Sequence, residues 1–183
     1  MMPTENRIEI PLSRKKMFSM GIGSLLFIAC GTWFIVNPPL SEDGISSYPA
    51  FFYTLGAVSM LFFSIAIIGF YRKMFDKKPG LVVDSTGITD NSSLLSVGHI
   101  PWEEVKKIAG NKVSGQDFLL IEVEDPVKYI DLQKSTLKRK IAALNHKNYG
   151  SPIYIPASTL EWSFDKVRFT LLEHFRQYQS RQL

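Results

Sequence analysis

Two uncharged apolar runs stand close together early in the chain, each with basic residues on one flank only: Met17–Val36 (MFSMGIGSLLFIACGTWFIV) and Phe51–Tyr71 (FFYTLGAVSMLFFSIAIIGFY). About 20 residues at 1.5 Å each cross a hydrocarbon core of roughly 30 Å. Both runs meet that length without a formal charge, so they read as a hairpin of two transmembrane helices. The first is longer than the 7–15 apolar residues typical of a signal peptide. It also stays apolar beyond Cys30, through Trp33-Phe34-Ile35-Val36, and so reads as a retained helix. Cys30 is the single cysteine, which excludes an intrachain disulfide and fits a reducing compartment.

Positive charge on short flanks sets orientation, and acidic residues count for little. Arg7, Arg14, Lys15 and Lys16 precede the first run, and Arg72, Lys73, Lys77 and Lys78 follow the second. Asn37–Ala50 between them holds no Lys or Arg, only Glu42 and Asp43. Both termini are therefore expected on the cytoplasmic side of the inner membrane, with that loop outside. The expected layout is residues 1–16 cytoplasmic, 17–36 first span, 37–50 outer loop, 51–71 second span and 72–183 a cytoplasmic domain. Pro38 and Pro39 would end the first helix. Trp33, Tyr48, Tyr53 and Tyr71 fall near span ends, where amphipathic rings favour the headgroup layer. Small residues such as Ser24, Gly31, Gly56 and Ala57 allow close helix approach. No strict Gly-x-x-x-Gly pair is present, so no dimer is predicted. Without intramembrane charge, an ion path or proton relay is not expected.

From Gly80 the pattern becomes short and strand-like. Leu81–Val83 and Ile88–Asp90 read as a hairpin around Asp84-Ser85-Thr86-Gly87, with the glycine supplying a positive φ. Leu94–Ile100, Val105–Ile108 and Asp117–Val123 read as further strands, with Gly110 and Gly115 as breakers. Val127–Asn148 reads as one helix, packing through Ile130, Leu137, Ile141 and Leu144 and stopped by Gly150. Ile153 and Ile155 line a short strand, and Leu160–Trp162 another. A last helix is capped by Ser163 or Asp165 and packs through Val167, Phe169, Leu171, Leu172, Phe175 and Tyr178. Arg7–Leu12 (RIEIPL) alternates and can add an edge strand. The expected fold is thus a membrane α-helical hairpin plus an α+β domain: a bent antiparallel barrel plugged by a C-terminal helix, with a basic helix inserted.

Certain residues also carry a resemblance. Lys77-Lys78-Pro79-Gly80-Leu81-Val82-Val83, the turn at Gly87-Ile88 and Ile100-Pro101-Trp102-Glu103-Glu104-Val105, after two spans, resemble bacterial membrane proteins with a pleckstrin-homology-like (PH-like) domain. Asp90-Asn91-Ser92-Ser93 and the basic helix resemble, within that group, a small uncharacterised two-span family. The resemblance implies fold and topology and carries no activity with it.

Chemistry-bearing constellations are sparse. His99, His146 and His174 lack a second His or Cys at ligand spacing, and no phosphate loop, nucleophile elbow or His-Glu-x-x-His helix occurs. Glu103 and Glu104, read as adjacent on a strand or turn, face opposite ways. A non-enzymatic protein without metal or cofactor is expected. The informative feature is the basic helix, where Lys128, Lys134, Lys138, Arg139, Lys140 and Lys147 stand against Asp131 alone. A solvated helix face explains such a stripe, and so does a surface for anionic lipid headgroups or a membrane-protein partner. Nucleic acid is not expected, since no stacking platform or recognition motif accompanies the charge. The functional expectation is a membrane-anchored binding module. The alternatives are an assembly subunit of a membrane complex or an immunity-type protective protein.

Overall fold

The computed structural model describes residues 7–37 and 49–182. The expectations for Pro38, Pro39, Tyr48 and the acidic pair Glu42 and Asp43 lie outside the described residues. The chain divides into two compact units: Arg14–Asp76, and the described residues up to Ser13 together with those from Lys77 onward.

The first unit is a pair of helices, α1 (Arg14–Val36) and α2 (Pro49–Met74). Both are long and apolar enough to cross a membrane, and only 11 % and 6 % of their apolar stretches are buried within the protein. A core helix of a soluble fold would be covered by its own protein; these two are not. Each extends beyond the apolar run, because Lys, Arg and Met are good helix formers and carry the helix past the last apolar residues. Ser24, Thr32 and Thr54 donate their hydroxyls to the carbonyls of Met20, Ile28 and Ala50, at 3.0, 2.9 and 2.7 Å, so each hydroxyl is satisfied within its own helix. The helices meet at two of the small residues. A Cβ on Gly56 would stand 2.8 Å from the Gly31 carbonyl oxygen, and one on Gly31 would stand 3.1 Å from that of Gly56. Phe27 and Phe63 stack nearby with ring centroids 4.3 Å apart.

The second unit holds two antiparallel sheets. The first runs in the order β1 (Ile8–Ile10), β2 (Leu81–Val83), β3 (Gly87–Asp90), β4 (Gly98–Pro101). The second is β5 (Val105–Val113), β6 (Gln116–Val123) and, beyond two helices, β7 (Ile153–Pro156). Among the described residues neither sheet closes on itself. The alternating Arg7–Leu12 segment does supply the edge strand, pairing Ile8 with Val83 and Ile10 with Leu81. It then continues past the sheet: Leu12 bridges Leu160, Ser13 N donates to the Thr159 carbonyl at 2.9 Å, and Glu161 N donates to that of Pro11 at 3.0 Å. The strand expected at Leu160–Trp162 is reduced to that one bridge.

The helix α5 (Phe164–Ser180) is capped by Ser163, whose hydroxyl accepts from Lys166 N at 3.4 Å. Val167, Leu171 and Phe175, at i, i+4 and i+8, enter one core with Ile10, Ile100, Trp102 and Leu119. Phe169 does not join them. It sits about 200° round the helix from Val167 and is 67 % exposed.

Three further expectations change. Gly87 is not left-handed; it is small because a Cβ there would collide with the Ile100 carbonyl oxygen. The turn is held instead by Asp84, whose Oδ1 accepts from Thr86 N at 2.8 Å and from its hydroxyl at 2.6 Å. Gly110 breaks nothing and lies within β5, where a Cβ would meet the Phe164 ring at 2.6 Å. Leu94–Ile100 becomes a turn followed by β4, because Ser93 and Ser96 bond locally (Ser93 N to Ser96 Oγ 2.9 Å, Leu95 N to Ser93 Oγ 3.1 Å) and compete with a ladder.

Candidate functional site

The basic segment is two helices. Asp125 caps the first, α3 (Pro126–Asp131), by accepting from Val127 N at 3.0 Å and Lys128 N at 3.1 Å, with Pro126 in the first turn. Ser135 then caps a second, α4 (Thr136–Tyr149), accepting from Lys138 N at 3.3 Å. The single helix expected over Val127–Asn148 is interrupted because a serine that captures an amide three residues on starts a new helix. Gly150, at φ 84°, ends α4 as expected.

The six cations divide by what they touch. Lys128 Nζ lies 2.5 Å from Glu104 Oε1, whose other oxygen accepts from the buried Tyr129 hydroxyl at 2.8 Å. The Lys128 ammonium holds the Glu104 carboxyl below its ordinary value, the Tyr129 hydroxyl adds to this, and burial opposes it. Burial, then the Glu104 bond and charge, pushes the Tyr129 phenol well above its ordinary value. Glu104 stands on a tight turn, Trp102–Glu104, and faces inward, while Glu103 is exposed. Lys138 Nζ donates to the Leu94 carbonyl, and Arg139 Nε donates to that of Gln133 at 3.0 Å. Gln133, buried, donates to the Leu95 carbonyl at 2.9 Å. Lys128, Lys138 and Arg139 are therefore structural in large part.

Lys134, Lys140 and Lys147 are exposed, and their side chains form no ion pair or hydrogen bond among the described residues. The contrast with β5 is instructive. There Lys106, Lys107 and Lys112 face Glu124, Glu122 and Asp117 across the strand pair at 3.0, 3.5 and 3.9 Å. No acidic residue occurs anywhere in α4.

The rotation of α4 is the other departure from expectation. Leu137 and Leu144, read as packing residues, are 68 % and 55 % exposed, while Ala142 is buried. Contacts at both ends set this rotation. The Lys138, Arg139 and Gln133 bonds hold its start. At its end Ser151 donates to the Ile121 carbonyl and accepts from Ile153 N at 3.0 Å, and Tyr149 lies against Tyr154 at 5.1 Å. At about 100° per residue, Leu137, Lys140, Leu144 and Lys147 then share the outward face. A wheel drawn on these four positions would have shown leucine and lysine together on one face, but only the tertiary bonds decide which way it turns.

Of the residues read as setting topology, Arg14, Lys15 and Lys16 open α1, Arg72 and Lys73 close α2 where cations complement the helix dipole, and Lys77 and Lys78 lead into β2. Lys73 also reaches Asp76 at 3.7 Å. Elsewhere His99 Nδ1 lies 3.1 Å from the Thr89 hydroxyl and His174 Nδ1 lies 2.9 Å from the Thr170 carbonyl oxygen. Among the described residues no three His, Cys, Asp or Glu side chains gather as a metal would require. No protein-family model, no curated protein and no solved structure matches this chain.

Proposed function

We propose that the protein is a non-enzymatic module anchored in the inner membrane by α1 and α2, both ends cytoplasmic, whose PH-like domain docks on anionic lipid headgroups. The observation that carries the reading is the set of lysines on one helix system, Lys134, Lys140 and Lys147, left without carboxylate partners among the described residues while the lysines of β5 are paired. Two antiparallel sheets sharing a core with a C-terminal amphipathic helix support the PH-like description. The flanking cations support the orientation. The tether is short: only Phe75 and Asp76 separate the end of α2 from the sheet unit.

Because the spans already supply attachment, headgroup binding serves to orient the domain. Each lysine near an anionic surface contributes about 1 kcal/mol, so three shift a docked-to-undocked ratio by roughly a hundredfold. The test uses the full chain in nanodiscs, with a donor on Asn148→Cys in a Cys30→Ala background and an acceptor on the lipid headgroups. Energy transfer is expected to rise on going from neutral to anionic lipid, and to fall with salt or with the three lysines changed to Gln. Equal transfer in neutral and anionic discs would refute the reading.

A further inference from the structure

The outward face of α4 is not simply charged. Leu137 and Leu144 are seven residues apart, as are Lys140 and Lys147, so two parallel stripes, one aliphatic and one cationic, run side by side along the helix. Leu132, in the link before α4, is 54 % exposed, and Lys134 beside it is exposed too. Leu94, at 49 % exposure, belongs to the turn whose carbonyls receive the Lys138 and Gln133 side chains, so its backbone is fixed next to the start of α4. Isolated exposed leucines are ordinary on any surface. Several on adjoining elements, interleaved with lysines and without one carboxylate in α4, are not.

From this pattern we infer that α4 lies flat in the bilayer interface, with Leu132, Leu137 and Leu144 inserted at the headgroup–acyl boundary and Lys134, Lys140 and Lys147 reaching back to lipid phosphates. The inference rests on the headgroup-docking reading and sharpens it from electrostatic contact to insertion. The occupant is set by charge complementarity: lysine stems run along apolar surface while their ammonium groups stay at the polar layer, which is how amphipathic helices sit in an anionic interface. A protein partner would press the same lysines into an interface core, where lysine is depleted. The rigid hold on both ends of α4 also means that the face is presented as a helix before any lipid arrives.

Full-length protein carrying Cys30→Ala and an environment-sensitive fluorophore on Leu137→Cys or Leu144→Cys tests this in nanodiscs of phosphatidylcholine, with or without phosphatidylglycerol. A label on Arg168→Cys, exposed on α5, is the comparison. With phosphatidylglycerol the two α4 labels are expected to shift to the blue and to be quenched several-fold more than the α5 label by nitroxide on lipid acyl chains. High energy transfer from Asn148→Cys with unquenched labels would overturn insertion and leave headgroup docking intact. Absence of both signals would overturn both. Quenching equal in neutral discs would overturn the role given to the lysines. Labels shielded in native membranes, yet unquenched in pure lipid, would assign the face to a protein partner and overturn the inference. Circular dichroism and thermal midpoints matching the unlabelled protein keep a folding defect from imitating any of these results.

Discussion

Glu104 joins elements that the chain keeps far apart, receiving Lys128 and Tyr129 from α3 on its two carboxylate oxygens. Asp84 plays a comparable part in the first sheet: its Oδ1 closes the β2–β3 turn and its carbonyl accepts the Trp102 indole N–H at 2.8 Å. Burial opposes ionisation of Asp84, but the Thr86 and Gly87 bonds and nearby His99 outweigh it, so its pKa too lies below the ordinary value. A carboxylate with a depressed folded-state pKa contributes stability above its unfolded value and loses it as pH falls through the folded one. Stability is therefore predicted to decline as pH drops below the ordinary carboxyl values of 4.5 and 3.8. Glu104→Gln is expected to cost roughly 1 kcal/mol at neutral pH, Lys128 being half exposed, and to flatten part of that acid limb. Thermal midpoints of both proteins between pH 3 and 7 check it; parallel curves would remove Glu104 from the account.

Among the elements, the α1–α2 crossing turns on a backbone approach at Gly31 and Gly56 that side chains would block. Without a hydrophobic drive between helices in lipid, such close packing is a main source of their association. Gly56→Leu would force its branch against the Gly31 carbonyl and Ile35, an overpacking worth about 1–3 kcal/mol, whereas nothing lies within 4 Å of a Cβ at Gly23. SDS-titrated unfolding is predicted to show lower resistance for Gly56→Leu and near-native resistance for Gly23→Leu. Equal behaviour would mean that the crossing lies elsewhere. Element by element, much was legible in the residues. The two apolar helices, the β2–β3 hairpin, the β1 edge strand and the Ser163 cap all follow from periodicity or local hydrogen bonding. The break at Ser135 is signalled by a capping residue, but the apolar spacing runs on through it and masks the signal. The rotation of α4 was not legible, since it depends on the Leu94 and Leu95 carbonyls, far off in sequence.

On the scale of the whole molecule, the N-terminal segment is the least local feature. Residues before α1 pair with β2 and then with the stretch around Leu160, so one short piece of chain ties the first sheet to the region following β7. Alternation in Arg7–Leu12 marks an edge strand, but spacing does not name its partners, because each pairing joins segments separated by both long helices. The proposal for the whole chain is a helical hairpin that keeps this domain at the inner surface of the membrane, where its lysine–leucine face meets lipid. That scheme depends first on orientation, and a Cys30→Ala protein with one new cysteine in intact cells tests it directly. Ser46→Cys is predicted to react with a membrane-impermeant maleimide from outside, and Arg168→Cys only after the membrane is breached. Labelling of Arg168→Cys in intact cells would put the domain on the wrong side and contradict the account.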